Sequence, residues 1–228
     1  MALILNIETA TKTCSVSIAK EGSLLALKEK HGEYSHAENL TAFIQETIKL
    51  AGIELNDLDA IAVSKGPGSY TGLRIGVSTA KGLCFALNKP LLAVNTLEAM
   101  ATHLKHENKN EYILCPMLDA RRMEVYCAIL NHKSEFIKET AAEIISIDSF
   151  SQFLKTNKII FFGDGAQKCE SLLSNNENAF FAPDFEISSI GMIELSEMAF
   201  QNKQFEDVAY FEPYYLKDFV TTTPKKLV

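Results

Sequence analysis

The run Lys65-Gly66-Pro67-Gly68-Ser69-Tyr70-Thr71-Gly72-Leu73-Arg74-Ile75-Gly76 is the most chemically suggestive stretch of the chain. Glycines ahead of a helix leave backbone N–H groups and the positive end of the helix dipole open to an anion. Spacing restricts what such a loop is. A Walker loop needs G-x-x-x-x-G-K-[ST], and here Gly72 is followed by Leu73-Arg74. The dinucleotide fingerprint G-x-G-x-x-G also fails: Gly66, Gly68 and Gly72 are one residue too widely spaced, and no acid stands at a strand end about 20 residues on. Two readings remain, a degenerate phosphate loop or a tight strand-to-helix turn with Gly66 or Gly68 at positive φ.

Two acids, Glu8 and Asp119, each close a strand that opens a hairpin. Carboxylates so placed could organise a metal-bound nucleotide, or could simply cap their own turns. Asp119 has Arg121 and Arg122 beside it as neutralising partners. Gly163-Asp164-Gly165 is a turn that could border a nucleotide. Glu8, Gly66, Gly68, Asp119 and Gly163 are therefore the candidate residues of a degenerate nucleotide site. No metal site is expected. His103 and His106 share a helix face but lack a third ligand, the remaining histidines are scattered, and no H-E-x-x-H, G-x-S-x-G or paired-cysteine pattern occurs.

The elements that must position these residues follow from periodicity. Leu3 to Glu8, Cys14 to Ala19 and Leu24 to Lys30 read as a three-stranded meander. Ser35 with Glu38 has capping-box spacing, and Ala37, Leu40, Phe43, Ile44, Ile48 and Ala51 form the apolar stripe of a helix stopped by Gly52. Asp59 to Ser64 is a strand, Leu73 to Leu87 a helix, Leu91 to Val94 a strand, and a helix from Asn95 or Thr96 runs through Leu104. Placing Glu8 on Asp119 repeats strand, acid, polar turn and strand. A strand near Ala142 to Ile147, a helix near Ser149 to Lys155, a strand Ile159 to Phe162 and a helix from Ala166 then follow. This predicts an α/β chain of two lobes, residues 1–104 and 105–228, with the C-terminal tail packing back on the first.

Composition narrows the class. Of 228 residues, 47% are hydrophobic, enough for two cores, and no stretch approaches the roughly 18 apolar residues of a membrane span. The five cysteines are odd in number and sit in apolar patterns, as in a reduced, cytoplasmic protein. A net charge of −7 with no visible basic cluster speaks against this chain binding nucleic acid on its own.

Taken together, Ile7-Glu8-Thr9-Ala10-Thr11, the glycine string 65–76, Asn95-Thr96-Leu97-Glu98-Ala99, Leu118-Asp119-Ala120-Arg121-Arg122, Gly163-Asp164-Gly165-Ala166 and Pro213-Tyr214-Tyr215-Leu216-Lys217 resemble the TsaB (YeaZ) family over nearly the full length. Glu8 departs from the Asp expected in much of that family. The resemblance implies a two-lobed actin-like ATPase (ribonuclease H-like) fold, each lobe a mixed sheet with flanking helices. It implies a non-catalytic subunit that binds and activates the catalytic paralogue TsaD for threonylcarbamoyl transfer to adenosine 37 of tRNA. The ATPase TsaE works on that assembly, this chain alone binds no cofactor while the assembled complex can take ATP or ADP, tRNA is reached through the complex, and an exposed apolar face would pair two copies into a homodimer when the partner is absent. Thr96 and Met100 stand where the catalytic relative carries its metal-binding histidines, and neither replaces an imidazole. A stand-alone ATPase or small-molecule kinase built on Glu8 and Asp119 is the alternative; peptidase activity lacks a nucleophile.

The resemblance also places the partner surface on the helices near 35–51 and 73–87. In the second, Leu73, Val77, Ala80, Cys84 and Leu87 face the core, and Gly72, Gly76, Thr79, Gly82 and Ala86 leave a small, uncharged face. Leu40, Ile44, Gly72, Gly76, Thr79, Gly82 and Ala86 are the expected interface residues, although close packing inside the lobe would explain the glycines equally well.

Overall fold

The computed structural model describes residues 2–32 and 36–217. In the first lobe β1 (Leu3–Glu8), β2 (Cys14–Lys20) and β3 (Ser23–Lys30) are followed by α1 (His36–Ala51), β4 (Ala60–Gly66), α2 (Tyr70–Leu87), β5 (Leu91–Asn95) and α3 (Thr96–Lys105). The second lobe holds β6 (Ile113–Asp119), β7 (Glu124–Leu130), β8 (Phe136–Ile144), α4 (Ser151–Leu154), β9 (Ile159–Phe162), α5 (Ala166–Leu173) and β10 (Ala179–Ala182), with α6 (Ile193–Gln201) closing the order. The capping role expected of Ser35 lies outside the described residues.

Both sheets have one topology. The first runs β3-β2-β1-β4-β5 and the second β8-β7-β6-β9-β10. In each, the first three strands are antiparallel neighbours, the fourth pairs parallel with the central hairpin strand, and the fifth pairs parallel with the fourth. Parallel pairing demands a crossover, supplied by α1 and α2 in one lobe and by the short α4 and α5 in the other. Two lobes of this order make the ribonuclease H-like plan of the actin-like ATPases.

The cores show how the lobes join. On the outer face of the first sheet, Leu5, Ile7, Val16, Ile61 and Val63 pack on Leu40, Ile44, Val77, Ala80 and Cys84. Its inner face (Ile4, Ala60, Ala62, Leu92, Val94) meets Ala99 of α3 and Met192, Leu195, Ala199 and Phe200 of the last helical region. The opposite side of α3 (Leu97, Met100, Ala101, Leu104) packs on Leu114, Leu118, Ala128 and Leu130 of the second sheet. Helix α3 is thus the wedge between the sheets. Each of these buried aliphatic side chains contributes about 1.5–3 kcal/mol.

Residues Glu206 to Lys217 form a strap back across the first lobe. Glu206 N donates to Leu91 O, Lys81 Nζ donates to Ala209 O and Phe211 O, Tyr214 N donates to Lys65 O, and Lys217 pairs with Glu124 of the second lobe.

Some elements differ from expectation. Helix α2 begins at Tyr70, three residues before Leu73, because Ser69 Oγ accepts from Gly72 N and caps it there. The strand expected at 142–147 is Phe136–Ile144, whose half-buried residues give no clean alternation. The helix expected over 149–155 is one turn, Ser151–Leu154. Among the described residues no helix is long and apolar enough to cross a membrane.

Candidate functional site

Glu8 ends β1 with its side chain fully buried on the inner face of the sheet. Its Oε1 accepts from Ala10 N at 2.5 Å and from Ser64 Oγ at 2.9 Å, while Oε2 is buried without a hydrogen-bond partner. Burial pushes its pKa up to about 7, against the opposing pull of the Ala10, Ser64 and Thr9 hydrogen bonds. The hydroxyl of Ser15, opposite Glu8 across the hairpin, turns to Glu29 and Ser189 instead. The carboxylate is dry and locally partnered.

The turn after Glu8 occupies the ground in front of the glycine helix. Ser69 N donates to Ala10 O at 2.6 Å, and Thr9 Oγ1 donates to Gly72 O at 2.9 Å. A Cβ at Gly68 would meet Ala10 O at 2.4 Å, one at Gly72 would meet Thr9 O at 2.1 Å, and one at Gly76 would meet Thr9 Oγ1 at 2.3 Å. These glycines let two segments of the same lobe touch. Gly66 has φ +111°, and a Cβ there would strike Tyr214 O of the strap at 2.7 Å. The residues read as a phosphate cradle therefore hold the chain's own backbone.

In the second lobe the equivalent acid behaves differently. Asp119 is half-exposed, its Oδ1 accepts from Arg121 N at 2.8 Å, and Lys168 Nζ pairs with the same oxygen. Partial burial opposes ionisation, but the Lys168 ammonium and the Arg121 N–H outweigh it and hold the pKa below the usual carboxylate value. Neutralisation comes from Lys168 and not from the Arg121 and Arg122 side chains. Gly163, at φ +96°, leaves room for Met100 Cε and Met117 O, each 2.5 Å from where its Cβ would stand.

Between the lobes lies a cavity of about 240 Å3, lined in part by Lys12, Met100, Gly163, Asp164, Phe181 and Glu186. Glu170 adds a third acid to that lining against the single cation Lys12. Three carboxylates against one ammonium give this lining a net negative charge, which would repel a metal-free triphosphate. Of the candidate residues, Glu8, Gly66 and Gly68 gather around the first hairpin turn, Asp119 and Gly163 around the second, and only Gly163 borders the cavity. Among the described residues no group of three His, Cys, Asp or Glu side chains could hold a metal.

The family model for TsaD, described as tRNA N6-adenosine threonylcarbamoyltransferase, matches residues 30–228. A relative from Haemophilus influenzae, named tRNA threonylcarbamoyladenosine biosynthesis protein TsaB, is 28% identical over 96% of this chain and 94% of its own. The protein of the same name from Buchnera aphidicola subsp. Schizaphis graminum is 30% identical over 73% of this chain and 80% of its own. The chain belongs to the TsaB (YeaZ) family. The solved structure of YeaZ from Pseudomonas aeruginosa superposes with a TM-score of 0.77 at 25% identity, covering 95% of this chain and 100% of that one.

Membership of the TsaB family, and a match to the TsaD model, focus attention on Thr96 and Met100. Both are buried: Thr96 opens α3 behind its Asn95 cap, and Met100 fills space beside Gly163 and Leu118. The positions compared with the histidines of the catalytic relative are core positions here.

The expected interface residues divide. Leu40 and Ile44 are 1% and 4% exposed and belong to the first core, so they offer nothing to a partner. Gly72 and Gly76 are buried against Thr9, the internal explanation weighed above. Thr79 is half-buried, whereas Gly82 and Ala86 are exposed and a Cβ at Gly82 would meet nothing within 4 Å. Phe85 was missed: it stands 86% exposed between them, off the core stripe by one position, which is the signal that could have found it.

Proposed function

We propose that this chain is the non-catalytic subunit of a tRNA threonylcarbamoyladenosine assembly, binding and activating a TsaD-type catalytic relative through the outer face of α2. One observation carries the reading: Phe85, a large aromatic, lies bare beside Gly82 and Ala86 on an 18-residue helix whose other side is fully packed. A solvated helix face seldom keeps an exposed aromatic next to a glycine, which costs about 0.5–1 kcal/mol relative to alanine inside a helix. Small neighbours let a second helix approach, and the ring supplies the anchor. Leu50 of α1 is 63% exposed and extends the apolar ground.

In this reading the chain holds no catalytic metal, ATP or ADP belongs to the assembled complex, a TsaE-type ATPase acts on that complex, and two copies pair through the same face when the partner is absent. The setting is the cytoplasm.

The test is co-purification with a TsaD-type protein followed by reconstitution of tRNA modification. Gly82→Arg and Ala86→Arg are expected to fold, to abolish association and to stop modification. If both variants fold by circular dichroism and still form the complex in size-exclusion chromatography, the reading fails. Turnover of ATP by the purified chain alone, at the rate of the full assembly, would favour the stand-alone ATPase or kinase instead.

A further inference from the structure

The β6–β7 hairpin turn asks for positive φ and fills those positions with two arginines, a choice that the turn itself does not explain. Arg121 and Arg122 are consecutive residues at φ +70° and +49°, a conformation that L side chains disfavour and that asparagine and glycine adopt readily. Both arginines are exposed, and neither makes a side-chain hydrogen bond or ion pair among the described residues. Two of the nearby acids are already engaged. Asp119 is taken by Lys168, and Glu124 by Lys217. Lys12 of the first lobe adds its field to the same corner, where it acts on Asp119 and Asp164. Three lysines from separate segments and three acids, Asp119, Glu124 and Asp164, thus surround one hairpin, and the two arginines at its tip are the cations without an ion pair among the described residues. Beside them stand two exposed apolar side chains, Met123 and Ile144, the latter 78% exposed and one residue before Ile145, whose N–H binds Met123 O.

We infer that this turn is an RNA-contact point, where the Arg121 and Arg122 guanidinium groups take backbone phosphates of an unpaired loop and Met123 and Ile144 give a displaced base an apolar rest. The chemistry favours RNA over an acidic protein surface. A guanidinium fork matches phosphate oxygens two at a time, and its plane, like a neighbouring apolar side chain, accepts a base face once a loop is unstacked. Strain retained at an exposed tip fits a contact residue better than a purely structural one. The inference rests on the proposed tRNA assembly, which would present the RNA to this turn.

The measurement is binding of labelled tRNA by fluorescence anisotropy across a salt series, with the TsaD-type partner present and with this chain alone at low salt. One variant is Arg121→Glu with Arg122→Glu. A second is Arg121→Asn with Arg122→Gly, which suits the turn. Both are expected to keep partner association, to weaken tRNA binding about tenfold, and to lower the salt slope by roughly 1 to 2. The Asn-Gly variant should also melt higher than wild type, so that its loss of binding cannot be a loss of fold. Unchanged tRNA affinity and slope in both variants overturn the inference, as does loss of partner association with tRNA affinity of the chain alone intact, which would make the turn a protein contact. If the wild-type pair never associates, the proposed assembly fails, and a wild-type chain that alone binds tRNA no more tightly than the two variants then overturns the RNA contact as well.

Discussion

The two lobes share a strand order, yet their matched acids sit in opposite surroundings. Glu8 and Asp119 both end the strand at the centre of their sheet. Glu8 is sealed under Ala10 and Ser64 and has its pKa raised, whereas Asp119 opens to solvent, pairs with Lys168 and has its pKa lowered. The crossover helices differ as much: 16 and 18 residues in the first lobe, 4 and 8 in the second. One topology thus carries long outer helices in the first lobe and a charged, exposed hairpin in the second.

The sharpest way to break this comparison is at the contact of Thr9 with the glycine helix. Gly72→Ala drives a methyl into the Thr9 carbonyl, 2.1 Å away, and is expected to cost about 3 kcal/mol, read as a drop in urea midpoint. An unchanged midpoint would mean that the first turn is not held as described. Next is Glu8→Gln. A carboxyl whose folded pKa is raised binds its proton more tightly in the folded state, so wild-type stability falls as pH rises from about 4.5 towards 7 and stays lower above it. Glu8→Gln removes that dependence. It should be near neutral at pH 4.5 and stabilising by up to about 3 kcal/mol at pH 8, with stability measured by denaturant titration at both values. A pH-independent difference would show that Glu8 is already charged in the fold.

Part of this contrast could be read from the chain alone, and part could not. The pattern strand, acid, polar turn, strand was legible at both Glu8 and Asp119 because it is local, and β1 and β9 have the bounds that periodicity predicts. The partners of the glycines were not legible: Thr9 lies 63 residues from Gly72, and nothing in either segment signals the other. Phe180-Phe181 of β10 and the helix at 193–201 were passed over, the first being only four residues long and the second having no side-chain cap hydrogen bond. Leu40 and Ile44 were assigned outward because an apolar stripe does not state which body it meets; burial places them in the lobe's own core.

Smaller effects sharpen the comparison. Gly82→Ala adds a methyl in open space on an exposed helix face and should raise stability by about 0.5–1 kcal/mol, the reverse sign of Gly72→Ala ten residues earlier. A fall in melting temperature would show that the face is already in use within the chain. The smallest effect is expected at Asp119→Asn. Its exposed pair with Lys168 should contribute less than about 1 kcal/mol at neutral pH. Because the folded pKa is depressed, that contribution is present above the unfolded pKa and vanishes as pH falls through the folded one, so wild type and variant should converge in acid melts.

The strap from Glu206 to Lys217 also has a consequence for the order in which the molecule can be made. The inner face of the first sheet carries Ile4, Ala62, Leu92 and Val94, and these are roofed partly by Met192, Leu195, Ala199 and Phe200. Its outer edge at Leu91 is met by Glu206, and Lys65 O accepts from Tyr214 N. During synthesis, at about 5–20 residues per second, the lobe that emerges first must wait some seconds with that face uncovered while the whole second sheet is translated. The second sheet, whose strands are contiguous between Ile113 and Ala182, has every strand in hand before then. The start of the chain is thus the last part to be completed, and a released chain ending near residue 190 would hold every strand of the second sheet beside an unfinished first one.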